Sequence, residues 1–215
     1  MKAFFKKWGH GLLILYGFFY LPCFNYLERV INDSSDFHVI HCAFDDMVPF
    51  CEYFIIPYYF WFLFVAVFCV YFFLRSQGEC MRMGLFLITG ITIAVIIYAA
   101  YPNGLADPRP KVFPRDNFCT DLVKMLYSGD TSTNVLPSLH VYNTLVIVIA
   151  VFESKTFGKF HNPLKVIVSI IGILIIASTM FLKQHSVYDV ILSFIMAGVL
   201  YPLFYKTKWL YNFNS

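Results

Sequence analysis

The segment 183–189 carries polar and ionisable side chains between two apolar stretches, where such groups are costly and usually functional. Within it, His185 and Asp189 are four residues apart. If a helix begins near His185, both side chains lie on one face within contact distance. A carboxylate that accepts a hydrogen bond from one imidazole nitrogen fixes the tautomer and makes the other nitrogen a better nucleophile or base. The pair is therefore a candidate for nucleophilic or acid–base chemistry, with a solvated helix cap as the alternative.

A second histidine, His140, begins another apolar stretch in the sequence Pro137-Ser138-Leu139-His140. Proline and serine are typical of a helix start, where the serine hydroxyl caps free backbone N–H groups. The remaining N–H groups and the helix dipole attract anions. The motif indicates either an anion site that includes a histidine or a capped helix with an interfacial histidine.

Two cationic residues accompany these motifs. Arg109 lies in the long segment after the third apolar stretch, and Lys183 lies two residues before His185. Arginine suits bidentate recognition of phosphate, whereas lysine supplies a point charge. Together with the histidines, they describe a site for an anionic, phosphorylated head group whose tail lies in lipid.

The composition identifies the elements that must position these groups as membrane helices. Of 215 residues, 59% are hydrophobic and 13% are charged, whereas a soluble domain has about 25% charged residues. A soluble globular protein, a disordered chain and a small disulfide scaffold are excluded, and a net charge of +3 gives no nucleic-acid footprint. We predict an all-α fold with a single membrane domain over residues 1–215. Its six predicted transmembrane helices are approximately Trp8–Tyr26, Tyr53–Leu74, Met83–Tyr101, Pro137–Phe152, Val166–Leu182 and Val190–Tyr205.

Basic residues are distributed unevenly between the two sides that this arrangement creates. One side has ten basic residues and two acidic ones, and the other has six basic residues and eleven acidic ones. Because basic loops stay in the cytoplasm, we predict that both termini are cytoplasmic and that residues 27–52, 102–136 and 183–189 face outward. A signal peptide is the alternative for the first stretch, but no small-residue cleavage site follows it, which favours a retained helix.

The first outward segment contains further candidates. Phe37–Phe50 is predicted to form an amphipathic interfacial helix. A cysteine pair, Cys42 and Cys51, is a possible disulfide in an oxidising compartment. Several potential metal ligands occur here at a spacing that matches no metal motif, which favours the interfacial helix: His38, His41, Cys42, Asp45 and Asp46.

The order of the motifs resembles the membrane type 2 phosphatidic acid phosphatase superfamily, whose soluble relatives are vanadium haloperoxidases and bacterial acid phosphatases. The resemblance covers roughly residues 83–205 and rests on Arg109-Pro110, then Pro-Ser-x-His ending at His140, then His-x-x-x-Asp from His185 to Asp189. The gaps between the three motifs also suit that family.

Three positions depart from the family pattern. Pro102 replaces the usual lysine, Leu139 replaces the usual glycine, and Thr179 stands where an arginine is usual. Two phosphate-binding cations are therefore missing, and Lys183 is a candidate to replace one of them. The form Pro-Ser-Leu-His looks more like the branch that contains inositol phosphorylceramide synthases and sphingomyelin synthases. That branch transfers a phospho-head group to a lipid alcohol, so the departures leave open whether the acceptor is water or an alcohol.

The resemblance implies a role for each matching residue. His185 would be the nucleophile on phosphorus, Asp189 would orient it, and His140 would protonate the leaving oxygen and then activate the acceptor. The phosphoryl oxygens would be held by Arg109, Lys183, Ser138 and the backbone N–H of Leu139. No cofactor or metal is implied by this scheme.

We therefore expect an integral membrane enzyme that hydrolyses a lipid phosphomonoester or diphosphate through a phosphohistidine. Its partners would be a phosphorylated lipid and the bilayer, with no nucleic acid. The expected location is a bacterial cytoplasmic membrane with the site facing outward. Two alternatives stay open, a lipid phosphotransferase and a non-enzymatic transporter or lipid-binding protein.

Overall fold

Apolar helices make up most of the molecule, in line with the composition. The computed structural model describes residues 9–32, 34–106 and 109–207. A content of 74% helix and 3% strand confirms the all-α class. Within these residues, four helical segments are long and apolar enough to cross a membrane: Glu52–Arg75, Gln77–Ala100, Gly158–Phe181 and Val187–Tyr205.

The elements are short or long helices joined by polar segments. The α-helices, in chain order, are α1 Tyr16–Val30, α2 Ala43–Met47, α3 Ile55–Arg75, α4 Gln77–Ala100, α5 Phe118–Gly129, α6 Leu139–Glu153, α7 His161–Phe181 and α8 Val187–Tyr205. Short 3-10 helices precede three of them, at Gly9–Leu15, Glu52–Phe54 and Gly158–Phe160. Two short strands, β1 His38–Val39 and β2 Asn103–Gly104, pair in parallel.

Four of the six predicted spans coincide with the four long apolar segments. The first predicted span falls on Gly9–Leu15 and α1, with Trp8 outside the described residues. The fourth falls on α6, which has only 15 residues. The six-span arrangement therefore stays a prediction. The predicted orientation of the termini also stays one, since their basic residues Lys2, Lys6, Lys7 and Lys208 lie outside the described part.

The short helix α6 occupies the centre of the bundle. It contacts α3, α4, α7 and α8, and most of its residues are buried. Large apolar side chains on the outer faces of α3 and α7, such as Phe62 and Ile173, are exposed instead. This pattern fits helices that surround a central one and turn their other faces to lipid.

The polar segments gather at one end of the bundle, which we call the polar end. It consists of residues 31–32, 34–54, 101–106, 109–138 and 182–186. The predicted interfacial helix Phe37–Phe50 is wrong, because only the five residues of α2 are helical there. The backbone N–H groups of His38 and Ile40 donate to Pro102 and Gly104 across the β1–β2 pair, so they cannot take part in a helix.

The cysteines and the other potential metal ligands of this segment have separate outcomes. The thiols of Cys42 and Cys51 are free, so the disulfide is absent from the structure. Among the described residues, no group of three or more histidine, cysteine or acidic side chains is arranged to hold a metal ion. The carboxylates of α2 are used in hydrogen bonds, as described below.

A close approach between α4 and α6 gives a test of the packing. A Cβ placed on Gly90 would overlap the ring of Tyr142, which is fully buried and donates to the carbonyl of Phe86 at 2.7 Å. We expect Gly90→Ala to destabilise the protein by about 1–3 kcal/mol through overpacking. The measurement is the thermal midpoint in detergent. Gly198→Ala, where a Cβ meets open space, is the matched control, and an equal midpoint for both variants would contradict this packing.

Candidate active site

The N-terminus of α8 brings His185 and Asp189 together as the spacing predicts. The helix begins at Val187 with Ser186 as its N-cap. His185 Nδ1 lies 3.2 Å from Asp189 Oδ2, and the same oxygen accepts from the backbone N–H of Ser186 at 2.8 Å. The Asp189 side chain is fully buried and that of His185 is 9% exposed. A proton on Nδ1 therefore donates to the carboxylate, and Nε2 is left as the reactive nitrogen.

His140 faces this pair from the start of α6. The ring centroids of His140 and His185 are 6.1 Å apart. The His140 ring packs between Tyr58 and Trp61 of α3, with centroid distances of 4.5 and 4.3 Å. Its Nε2 is buried and has no hydrogen-bond partner among the described residues. The starts of α6 and α8 thus bring the two histidines of the predicted site close together.

Ser138 and Leu139 join the starts of α6 and α8. The Ser138 hydroxyl caps α6 by accepting from the N–H of Val141 at 3.3 Å, and the Ser138 carbonyl accepts from Ser193 of α8 at 3.0 Å. Ser138 is fully buried, and the side chain of Leu139 packs into an apolar cluster that includes Tyr98. The leucine that replaces the family glycine thus fills a core position.

Arg109 contacts Gln184, the residue that precedes the candidate nucleophile His185. Its guanidinium donates to the carbonyls of Tyr127, Asp130 and Thr131 and to Gln184 Oε1, at 2.8–3.3 Å. It also stacks 4.6 Å from the centre of the Tyr127 ring. The group is thus fixed beside His185 by neutral acceptors.

Lys183 turns toward α2. Its backbone has a positive φ of 52°, and its ammonium donates to the carbonyls of Asp45 and Val48. The positions of the two missing family cations carry no charge. Thr179 is fully buried and its carbonyl accepts from the N–H of His185 at 3.1 Å, whereas the Pro102 carbonyl accepts from strand β1.

A cavity of about 250 Å³ opens beside His185. Its walls come from α2, from the segment after β2 and from the α7–α8 turn. The lining residues are Ile40, His41, Asp45, Asp46, Val48, Leu105, Ala106, Met180, Lys183, His185 and Ser186. Apolar and ionisable side chains therefore line one cavity next to the candidate nucleophile.

Three polar residues outside the predicted site hold the polar end in place. Glu28 of α1 accepts from Thr131 at 2.5 Å and from Asn134 at 2.7 Å. Asn103 is fully buried, and its Oδ1 accepts from the N–H groups just before the Pro-Ser-Leu-His motif. The third residue, Asp45, bonds to the start of α8. The sequence offers only weak signals for these residues: Asn103 lies at the end of a strand, and Glu28 and Asp45 are acids close to apolar stretches.

A family model described as the PAP2 superfamily matches residues 83–212. The chain belongs to the PAP2 superfamily. No curated protein and no solved structure matches it. As a PAP2 superfamily member with four helices long enough to cross a membrane, it is a membrane protein of the phosphatase type.

The range matched to the PAP2 superfamily includes all three motifs, from Arg109 to Asp189. It excludes Glu28 and Asp45 and the aromatic residues that pack on His140. The first third of the chain therefore adds contacts to the site that the superfamily match does not cover.

The buried amide of Asn103 can be tested directly. Asn103→Ala leaves the N–H groups of Val135 and Leu136 without their acceptor, and each such loss costs about 1–3 kcal/mol. We expect a lower thermal midpoint and at least ten-fold faster hydrogen exchange in residues 133–136. Asn162→Ala, at an exposed position, is the control. Unchanged exchange in the Asn103 variant would show that this amide does not hold the segment.

Proposed function

We propose that the protein is an integral membrane lipid phosphatase that works through a phosphohistidine on His185. The observation that carries this proposal is the imidazole of His185, held by a buried carboxylate and facing a second imidazole at 6.1 Å. Membership of the PAP2 superfamily supports the same reaction class. The substrate would be a phosphomonoester or diphosphate of a lipid.

The reaction would proceed in two displacements at phosphorus. His185 Nε2 attacks, a P–N bond forms, and the P–O bond to the lipid breaks as His140 protonates the leaving oxygen. His140 then takes a proton from water, the water oxygen bonds to phosphorus, and the P–N bond breaks to release phosphate. Asp189 stabilises the charge on His185 in both steps.

Charge on the phosphoryl oxygens would be balanced by groups already close to His185. Arg109 and Lys183 supply the positive charges, and the Ser138 hydroxyl and the Leu139 N–H add the field of the α6 N-terminus. The backbone carbonyls that these cations bind hold them in place without neutralising them. Every proton in the scheme moves between the substrate, water and the two histidines.

The site would lie on the outer face of a bacterial cytoplasmic membrane, in a six-helix protein with cytoplasmic termini. The uneven distribution of basic residues supports this orientation. The lipid would enter from the bilayer, so that its head group occupies the cavity beside His185 and its chain stays between apolar helices. The partners would then be the lipid substrate and the bilayer itself.

A lipid phosphotransferase is the second candidate. The observation that favours it is the absence of charge at Pro102 and Thr179, together with the leucine in Pro-Ser-Leu-His, as in the branch of inositol phosphorylceramide and sphingomyelin synthases. With an alcohol as acceptor, His140 would deprotonate a lipid hydroxyl instead of water. A transporter or lipid-binding protein is the remaining alternative.

The test is phosphate release by the detergent-solubilised protein with EDTA present. Phosphatidate, phosphatidylglycerol phosphate, undecaprenyl diphosphate and a sphingoid phosphate are each supplied with and without diacylglycerol or ceramide. We expect EDTA-resistant release that His185→Ala abolishes and that His38→Ala, at an exposed histidine, retains. Transfer to the alcohol without phosphate release would establish the phosphotransferase. If neither phosphate release nor transfer is detected, binding or transport would be favoured.

The role of Asp189 gives a separate prediction. Asp189→Asn keeps the shape of the side chain but removes the charge that orients His185, so we expect kcat to fall about 10²–10⁴-fold. KM should change little, because the carboxylate is fully buried and lies behind the imidazole. Steady-state kinetics against Asp121→Asn, an exposed acid on α5, measure the effect. A kcat within two-fold of the wild-type value would remove Asp189 from the mechanism.

A further inference from the structure

The short helix α2 is bonded to the N-terminus of α8, next to His185. Asp45 Oδ1 accepts from the backbone N–H of Val187 at 2.8 Å, and Oδ2 accepts from the Ser186 hydroxyl at 2.6 Å. Oδ2 also accepts from the N–H of Cys42 at 2.8 Å, which fixes the carboxylate within its own helix. One side chain from a distant part of the sequence therefore completes the cap of the helix that carries the His185–Asp189 pair.

Residues on both sides of His185 bind the segment that contains α2. While Asp45 binds residues that follow His185, the ammonium of Lys183 donates to the carbonyls of Asp45 and Val48. His185 thus lies between Lys183, two residues before it, and Ser186, one residue after it, and both of these bind residues 45–48. Toward the bundle, the N–H of His185 is bonded to the Thr179 carbonyl. Residues 183–187 are consequently fixed by α7 on one side and by residues 45–48, most of which line the cavity, on the other.

Electrostatics favour a carboxylate at this point. The N-terminus of α8 carries a partial positive charge, which a nearby anion stabilises. Burial opposes ionisation of Asp45, but the hydrogen bonds from Ser186, Val187 and Cys42 outweigh it and hold the pKa of this carboxyl below its ordinary value. The neighbouring Asp46 differs: its side chain is 73% exposed and bonds only to His41, at 3.0 Å, among the described residues.

We propose that Asp45 is a positioning residue for His185, contributed by the part of the chain that lies outside the superfamily match. It does not touch the phosphorus. It holds residues 183–187 so that Nε2 of His185 stays aligned with the phosphoryl group and with His140. The catalytic part of this inference rests on the phosphatase proposed above, whereas the contact itself can be measured without turnover.

The first experiment compares Asp45→Asn with Asp121→Asn, a change at an exposed acid on α5 that does not line the cavity. In Asp45→Asn an amide N–H₂ replaces one acceptor oxygen, so this donor faces the N–H of either Val187 or Cys42, and the carboxylate charge at the start of α8 is lost. We expect at least ten-fold faster hydrogen exchange in residues 184–188 and a kcat lower by about ten- to a hundred-fold. KM should stay within about two-fold, because Asp45 acts through His185. Asp121→Asn should match the wild type in all three measurements.

A second variant removes the same bond from the other side. Val187→Pro deletes the N–H that Asp45 accepts from, and proline is well tolerated at the first position of a helix. We expect the same fall in kcat, and the double variant Asp45→Asn/Val187→Pro should lose less than the product of the two single losses. This variant also answers the question if Asp45→Asn does not fold.

The outcomes separate the two proposals. Unchanged exchange in both variants, or faster exchange with kcat within two-fold of the wild type, would overturn the positioning role while leaving the phosphatase intact. An equal loss in Asp121→Asn would also overturn it, since the effect would then belong to negative charge in general. No turnover by the wild-type protein would reject the phosphatase and the catalytic role of Asp45 together, and the exchange data would still report on the contact.

Discussion

Asp189 is fully buried at the start of an apolar helix, and an ionised carboxylate in that position needs hydrogen-bond donors. The chain supplies them from the free N–H of Ser186 and from His185. Free backbone N–H groups occur at helix starts, which explains why the pair lies at the first turn of α8. The Ser193 hydroxyl then donates to the carbonyls of both Ser138 and Asp189, so the start of α6, with His140, is held beside it. The geometry of the candidate site follows from this one buried group.

Acidic side chains also organise the rest of the polar end. Glu28 binds the segment before the Pro-Ser-Leu-His motif, Asp45 binds the start of α8, and the buried Glu52 pairs with Arg115 at 2.8 Å. Loops at a membrane boundary have little apolar core of their own, so directed polar bonds must fix them. All three acids precede the range of the superfamily match. The N-terminal third thus holds the loops of the polar end in place through these polar contacts.

The candidate site contains few cationic residues. Arg109 and Lys183 bind backbone carbonyls, and the positions of two further family cations hold Pro102 and Thr179. Neutral carbonyl partners fix a cation without cancelling its charge, so both groups can still act on an anion at short range. In the proposed reaction, the helix dipole of α6 and the two imidazoles would carry the rest of the stabilisation. The small number of cations therefore bears on whether water or an alcohol is the acceptor in the proposed reaction.

The sequence by itself determined the apolar helices and the helix-start positions of His140 and His185, because hydropathy and i, i+4 spacing are local properties. The His185–Asp189 contact followed from the same spacing. Only the tertiary structure decided that Phe37–Phe50 is not a helix, since strand pairing with β2 takes its N–H groups. It alone brought Asp45 to Val187 and Glu28 to Asn134, which are more than 100 residues apart in sequence. Such contacts depend on how helices pack, and packing leaves no short-range pattern in the sequence.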